Sequence, residues 1–331
     1  MKVCIYGAGA VGGHLATRLA ANTAAEVSLV VRSASVAPLR ERGLTLRTEG
    51  REIKARPHHV TDDPATLSPQ DLVIVTLKAP SQPAVASQIA GLLGADGVAL
   101  FAMNGLPWWW NHALNTEGAL DRVDPDGALW REIGGARALG AVVNSSNHVP
   151  EPGLIIHAGA KRWSVGEPDN SSSPRLRRVV ELLAAADVEA VESRDIRRDI
   201  WRKLMTNISG NPIAALTRLA GKDAVAISAL DDVAIKLIEE ALTVASAQGF
   251  DLTADVSPEG IARPAKGRFP GKPSMLQDVE AGRELEVEAI LGQVQSFARA
   301  RHIATPTVDV VYALVCGLDH ALRLARQHQK P

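Results

Sequence analysis

Residues 2–21, KVCIYGAGAVGGHLATRLAA, decide the fold of this chain. Lys2 to Tyr6 is a short apolar run with β-branched and aromatic members and reads as a buried strand. Gly7-Ala8-Gly9-Ala10-Val11-Gly12 follows at once, and His14 to Ala21 reads as a helix. A lone G-x-G-x-x-G match says little, but between a strand and a helix it marks a dinucleotide-binding turn. Gly7 permits the tight turn, Gly9 lets backbone approach a pyrophosphate, and Gly12 lets the helix pack close to the strand. The unpaired N–H groups at the helix start, and its dipole, attract phosphate charge.

Composition narrows what such a turn can serve. The 331 residues suffice for two domains, and 46% hydrophobic with 22% charged residues describes an ordinary core-forming protein. A net charge of −1 leaves no electrostatic footprint for nucleic acid or an anionic membrane. Cys4 and Cys316 are the only cysteines, which suggests buried thiols in a reducing compartment. No apolar run approaches the ~18 residues of a spanning helix. The first strand starts at the N-terminus and leaves no room for a signal peptide, so a cytoplasmic location is expected. The nine histidines form no H-x-x-x-H pair, His58 and His59 fall in a loop, and no metal site is expected.

Further strand ends point to the same ligand. Glu26 to Arg32 reads as a second parallel strand. In such folds an acidic residue about 20 positions past the glycines holds the ribose hydroxyl of NAD, whereas an arginine takes the 2′-phosphate of NADP. Here the position is Arg32, followed by Ser33 with no acidic residue beside it, which favours NADP(H). Val36 to Arg42 reads as helix, and Leu44–Arg47 with Arg51–Ala55 as a hairpin. Asp71 to Leu77 is a strand ending in Lys78, Ser81 to Leu92 a helix, and Val98 to Ala102 a strand ending in Met103-Asn104-Gly105. Ligands of open α/β sheets bind beyond the carboxyl ends of the strands, where Gly7, Arg32, Lys78 and Asn104 all fall. Trp108-Trp109-Trp110 either walls a pocket or is buried as a cap. Strands are expected over Ala138–Ser145, Gly153–His157, Lys161–Gly166 and Val188–Val191, with a helix over Arg175–Ala185.

From Asp195 helical periodicity takes over. The expected fold is an α/β Rossmann-type dinucleotide-binding domain over residues 1–193, followed by an all-α domain over 194–331 that carries substrate and catalysis. Leu230–Gln248, a long helix from Ser274 to Arg301 and Val308–Gln327 are its expected helices, with a loop over Ser257–Gly271. Lys203, Asn207 and Asn211, spaced i, i+4, i+8, form one polar stripe about 12 Å long on a helix. One ammonium and two amides suit a small molecule bearing a carboxylate and a hydroxyl or keto group. Hydride addition to a ketone leaves an alkoxide, which a partly desolvated Lys203 ammonium can stabilise and protonate. Ser274 and Glu286, twelve residues apart, can share a helix face; Ser274 can equally be an N-cap, with Gln277 completing a capping box.

Together these residues resemble the ketopantoate reductase (2-dehydropantoate 2-reductase) family. The resemblance rests on the GAGAVG turn, VTLKA with Lys78, the Asn104-Gly105 pair, WRKLMTNISGNP at 201–212 and SMLQDVEAGRELE from Ser274 through Glu286. It implies NADPH-dependent reduction of 2-dehydropantoate to (R)-pantoate, a step towards pantothenate and coenzyme A, in a cleft between the two domains. By the same match Lys203 is the proton donor. Asn207, Asn211 and Ser274 hold the hydroxy acid, with Ser274 at its carboxylate, and Asn104 lies between nicotinamide and substrate. Glu286 contacts the nicotinamide ribose, while Lys78 and Arg32 face the cofactor. An asparagine that some members carry ten residues past Asn211 is Gly221 here, and the 106–137 segment is longer than in compact members.

Two competing readings stay open: a related reductase of a bulkier 2-keto acid, motivated by the tryptophans, and a catalytically silent NADPH-binding sensor. The expected partner is a small 2-keto acid, with neither nucleic acid nor membrane, and the helical second half could support a homodimer.

Overall fold

The computed structural model describes residues 1–263 and 271–328. Contacts divide the chain into two units: Met1–Met103, Pro107–Ala119 and Asp124–Asp199 form the first, and Asn104–Leu106, Leu120–Val123 and the chain from Ile200 onward form the second.

The first unit is built on one ten-stranded sheet. Its strands are β1 (Lys2–Tyr6), β2 (Glu26–Val30), β3 (Leu44–Thr48), β4 (Arg51–Ala55), β5 (His59–Thr61), β6 (Gln70–Val75), β7 (Leu93–Phe101), β8 (Ala138–Glu151), β9 (Leu154–Gly166) and β10 (Glu189–Glu192). The spatial order is β4-β3-β9-β8-β7-β6-β1-β2-β5, with β10 paired to β9. The run β5-β2-β1-β6-β7-β8 is parallel throughout. With the β3–β4 hairpin set aside, it has the 3-2-1-4-5-6 order of a dinucleotide-binding fold, reversing direction of growth at β1/β6. Four of the five residues of β1 and of β2 are buried, as central strands covered on both faces require. Leu15 and Leu19 of the Ala10–Asn22 helix, and Leu176, Val179 and Leu183 of the Pro174–Ala185 helix, complete the core against them.

Several local expectations are corrected. Ser81–Leu92 is not one helix: two 3₁₀ turns, Ala79–Ser81 and Pro83–Val85, precede a helix confined to Ala86–Leu92. Pro83 supplies no N–H to a helical ladder, and the backbone leaves helical geometry at Val85 (φ −119°, ψ 14°), just before the helix starts. The two strands expected over 153–166 are one, β9, because its pairing with β8 skips from Lys161 to Ala158 and Gly159, at φ +92°, absorbs the irregularity. His59 opens edge strand β5 instead of lying in a loop, and His58 Nδ1 accepts the Val27 N–H at 3.1 Å. Cys4 is buried, but Cys316 is partly exposed.

The second unit is helical: most of Ile196–Thr217, then Ser228–Ala247, Pro258–Ala262, Ser274–Glu280, Gln293–Ala300 and Pro306–His328. Within the loop expected over Ser257–Gly271, Ser257 caps the short Pro258–Ala262 helix through the Gly260 N–H, and residues 264–270 lie outside the described residues. The long helix expected from Ser274 to Arg301 is broken. Gly282, at φ +61°, closes the Ser274–Glu280 helix while the Arg283 N–H reaches back to the Asp278 carbonyl at 2.8 Å, a glycine stop signal. The chain resumes as a π-helical turn, Glu288–Gly292, leading into Gln293–Ala300. Ser274 and Glu286 therefore share no helix face. Ser274 is not the N-cap either: Pro273 occupies that position with no side-chain cap bond, and Gln277 Nε2 donates to the Lys272 carbonyl. Among the described residues no helix is long and apolar enough to cross a membrane, and no cluster of metal-ligating side chains occurs.

Candidate active site

In the first unit the glycine turn is pinned at the switch point. The Gly7 N–H donates to the Val30 carbonyl at 2.9 Å, and Thr76 Oγ1 at the end of β6 donates to the Gly7 carbonyl at 2.6 Å. Gly7 adopts φ +104°, a conformation that favours glycine. A Cβ on Gly12 would lie 1.9 Å from the Gly7 carbonyl oxygen, so the helix sits as close to the strand as the sequence predicts. A Cβ on Gly9 would meet nothing within 4 Å among the described residues, which leave this side of the turn open. The Ala10–Asn22 helix starts there with no side-chain cap and no acidic residue in its first turn, an arrangement suited to an anion.

Arg32 is exposed beyond β2, and Lys78 stands partly buried beyond β6. One neighbour lies beyond the reach of sequence reading. Asp62, from the end of β5, accepts a hydrogen bond from Ser33 that holds its carboxyl below the usual range. Only the pairing of β5 with β2 brings this acid to the Arg32-Ser33 corner.

In the second unit the polar residues converge. Lys203 Nζ donates to Asn104 Oδ1 at 2.9 Å, and Asn104 Nδ2 donates to Glu286 Oε2 at 3.0 Å. Glu286 is buried, and Lys203 and Asn104 are half-buried. Burial lowers the Lys203 ammonium from 10.5 to about 8, against the opposing pull of Glu286. One and two helical turns on, Asn207 is half-buried and Asn211 buried, so the stripe is not a solvated face. Pro212 within this helix supplies no N–H to the Ile208 carbonyl, removing one ladder bond beside Asn211. Ser274 Oγ donates to Asn211 Oδ1 at 3.4 Å. Asn207 Nδ2 is buried with no hydrogen-bond partner among the described residues. An unpaired buried amide N–H costs about 1–3 kcal/mol, a cost a bound acceptor would remove.

The three tryptophans form a cap and not a pocket wall. Trp108, Trp109 and Trp110 are 0–1% exposed. Trp108 meets Phe101 edge-on at 5.2 Å, and the buried Arg197 guanidinium lies 5.7 and 5.6 Å from the Trp109 and Trp110 rings. Arg197 Nε and Nη2 also donate to the Trp110 carbonyl at 2.9 and 2.7 Å. Trp109→Phe is therefore expected to cost on the order of 2 kcal/mol of stability while leaving KM values near wild type. Denaturant unfolding beside steady-state kinetics checks this; a changed KM without lost stability would return the tryptophans to the site.

Comparison with known proteins agrees with this architecture. Residues 3–170 match the family model described as Ketopantoate reductase PanE/ApbA, and residues 195–319 its C-terminal counterpart. A 2-dehydropantoate 2-reductase of Mesorhizobium japonicum is 39% identical over 321 residues, covering 95% of this chain and 97% of the relative. A Ralstonia solanacearum structure assigned to the ketopantoate reductases is 32% identical with a TM-score of 0.87, covering 97% of this chain and 98% of that one. D-mandelate dehydrogenase, solved with NADH and anilino(oxo)acetate, shares the fold alone at 20% identity and a TM-score of 0.81, covering 98% and 100%. With both family models matched in order, and a 39% identical relative aligned along nearly its whole length, the chain belongs to the ketopantoate reductase family.

Proposed function

We propose that this protein is a 2-dehydropantoate 2-reductase that uses NADPH, reducing the keto acid to (R)-pantoate. The observation that carries the reading is the hydrogen-bonded chain Lys203–Asn104–Glu286, with the unpaired Asn207 amide one helical turn further on. Bound NADPH supplies the hydride. The Lys203 ammonium, held at one of its three hydrogens by Asn104, turns another toward the substrate's keto oxygen and donates the proton as the alkoxide forms. Asn207 Nδ2 donates to a substrate oxygen, and Asn211 with Ser274 receives the carboxylate end. Glu286 fixes Asn104 and faces the nicotinamide ribose. In the first unit the Gly7–Gly12 turn (Gly7, Ala8, Gly9, Ala10, Val11, Gly12) holds the pyrophosphate, and Lys78 and Arg32 stand toward the cofactor, with Arg32 at its 2′-phosphate.

Family members are dinucleotide-dependent reductases, and the choice of NADPH over NADH rests on Arg32. Losing a charge-assisted pair and introducing a like charge costs roughly 1.5–3 kcal/mol, a tenfold to hundredfold change. Arg32→Glu is therefore expected to lower kcat/KM with NADPH by that factor and to leave the NADH value within a few-fold. An unchanged preference would move the recognition away from Arg32, with Asp62 then favouring a ribose hydroxyl. The bulkier-substrate alternative loses its motive with the tryptophans buried. The silent-sensor alternative fits poorly with a partly desolvated lysine already hydrogen-bonded in the site. The direct test is loss of NADPH absorbance with 2-dehydropantoate, with NADH and other 2-keto acids as controls. Turnover confined to another keto acid would replace the substrate, and NADPH binding without turnover on any would restore the sensor.

A further inference from the structure

Asn104 is the joint of the hydrogen-bonded chain, yet it sits in a loop, and something must hold it. Two residues on, the Leu106 N–H donates to the Ala289 carbonyl at 2.8 Å. Ala289 belongs to the π-helical turn Glu288–Gly292, three residues past Glu286. In that turn the Gln293 N–H reaches five residues back to the Glu288 carbonyl. In an α-helix it would bond the Ala289 carbonyl. The π geometry therefore withdraws the ordinary partner of the one carbonyl that Leu106 uses. Contact is so close that a Cβ on Gly105, which adopts φ +80°, would lie 2.2 Å from the Ala289 oxygen and 2.5 Å from its carbon. The turn is braced from its other side. Glu288 Oε1 accepts from the Tyr312 hydroxyl at 2.8 Å, and a Cβ on Gly292 would sit 2.1 Å from Glu288 Oε2.

We infer that the π-turn Glu288–Gly292 is a seat for the Asn104–Leu106 loop, and that Gly105 and Ala289 are positioning residues that hold Asn104 against both Lys203 and Glu286. Single π-turns recur at functional sites for this kind of reason: one extra residue redirects a backbone group. Here the same short segment supplies Glu286 and the carbonyl that aligns Glu286's partner. The inference rests on the proposed reductase reading for its kinetic consequence, but not for its structural one.

Two measurements test it on the full chain. In the first, Gly105→Ala, Asn104→Ala and the double variant are compared by kcat/KM with NADPH and 2-dehydropantoate. Gly105→Ala is expected to lose about tenfold or more, and the double variant to be no slower than Asn104→Ala alone, because residues acting through one contact do not add. Additive losses would overturn the inference. The second needs no turnover: NMR titration of 13C-methylated lysines, with Lys203→Arg to assign the signal. Removing Asn104 takes an acceptor from the Lys203 ammonium, so its midpoint falls, and Gly105→Ala should lower it by a similar amount. A midpoint left at the wild-type value overturns the seat. Should Gly105→Ala fail to fold, Gly292→Ala replaces it, since the nearest atoms its new methyl meets belong to side chains, the movable end of Glu288 at 2.1 Å and the Tyr312 ring at 3.2 Å. A smaller shift in the same direction is then expected, and none would overturn the inference. Wild-type protein inactive on 2-dehydropantoate would sink the reductase reading alone and leave the titration to decide this one.

Discussion

Lys203→Ala is expected to lower kcat/KM for 2-dehydropantoate about a thousandfold while NADPH still binds. General acid catalysis by a positioned side chain contributes roughly 10²–10⁴ in rate, or about 4 kcal/mol at the centre of that range. Alanine removes the proposed proton source and the charge proposed to face the alkoxide, and leaves Asn104 without the donor it accepts from at 2.9 Å. Lys203→Arg is not expected to rescue the rate, because a guanidinium keeps its proton throughout the accessible range and presents it in a fixed plane. The pH dependence separates this role from simple electrostatics. An ammonium lowered to about 8 is protonated below that pH and able to donate. Reduction should therefore hold its rate on the acid side and fall as pH rises through about 8. Oxidation of the alcohol needs the neutral amine and should rise over the same interval. Stopped-flow single turnovers in both directions would read this. A Lys203→Ala protein within tenfold of wild type, or profiles with the same sign in both directions, would remove Lys203 from proton transfer.

The site and the fold were unequally legible in the sequence. The strand–turn–helix at the start could be read because each glycine there has a steric job that neighbouring residues cannot share. The Lys203–Asn207–Asn211 stripe could be read because a helix maps spacing directly onto a face. What spacing could not give was anything set by tertiary pairing. Asp62 reaches the Arg32-Ser33 corner only through the β5–β2 register, and β5 is three residues long with a weak pattern. Gly282 looked tolerable inside a helix because a glycine there costs only about 1 kcal/mol. The decision to stop is made by the Arg283–Asp278 backbone bond and the Leu285 N–H bonded to Asp319. With the helix broken, Glu286 meets Asn104 from the start of a new segment, an arrangement that a continuous helix over 274–301 would not produce. The tryptophans show the opposite limit: composition made them conspicuous, but whether they face a ligand or the core depends on Arg197, which lies 87 residues from Trp110.

Gly12→Ala and Gly9→Ala should differ sharply although both add one methyl to the same turn. At Gly12 the new Cβ would meet the Gly7 carbonyl oxygen at 1.9 Å and Thr76 Oγ1 at 2.4 Å. Neither can swing aside: one is backbone, and the other is already committed to the Gly7 carbonyl at 2.6 Å. The Ala10–Asn22 helix would have to lift off β1, drawing Leu15 and Leu19 out of the core. Overpacking of this kind costs about 3 kcal/mol, or more where backbone is the obstacle. NADPH affinity should then collapse together with the stability of the first unit. At Gly9 the new Cβ meets no atom of the described residues within 4 Å, so stability should stay within about 0.5 kcal/mol of wild type. The methyl would instead stand in the open space that the pyrophosphate is proposed to enter. NADPH affinity should fall at least tenfold in a protein that unfolds normally. Denaturant unfolding with and without NADPH, beside a direct NADPH titration, separates the two effects. If Gly9→Ala binds NADPH as tightly as wild type, the open side of the turn does not receive the pyrophosphate. If Gly12→Ala is as stable as wild type, the helix has room that the Gly7–Thr76 contact denies it.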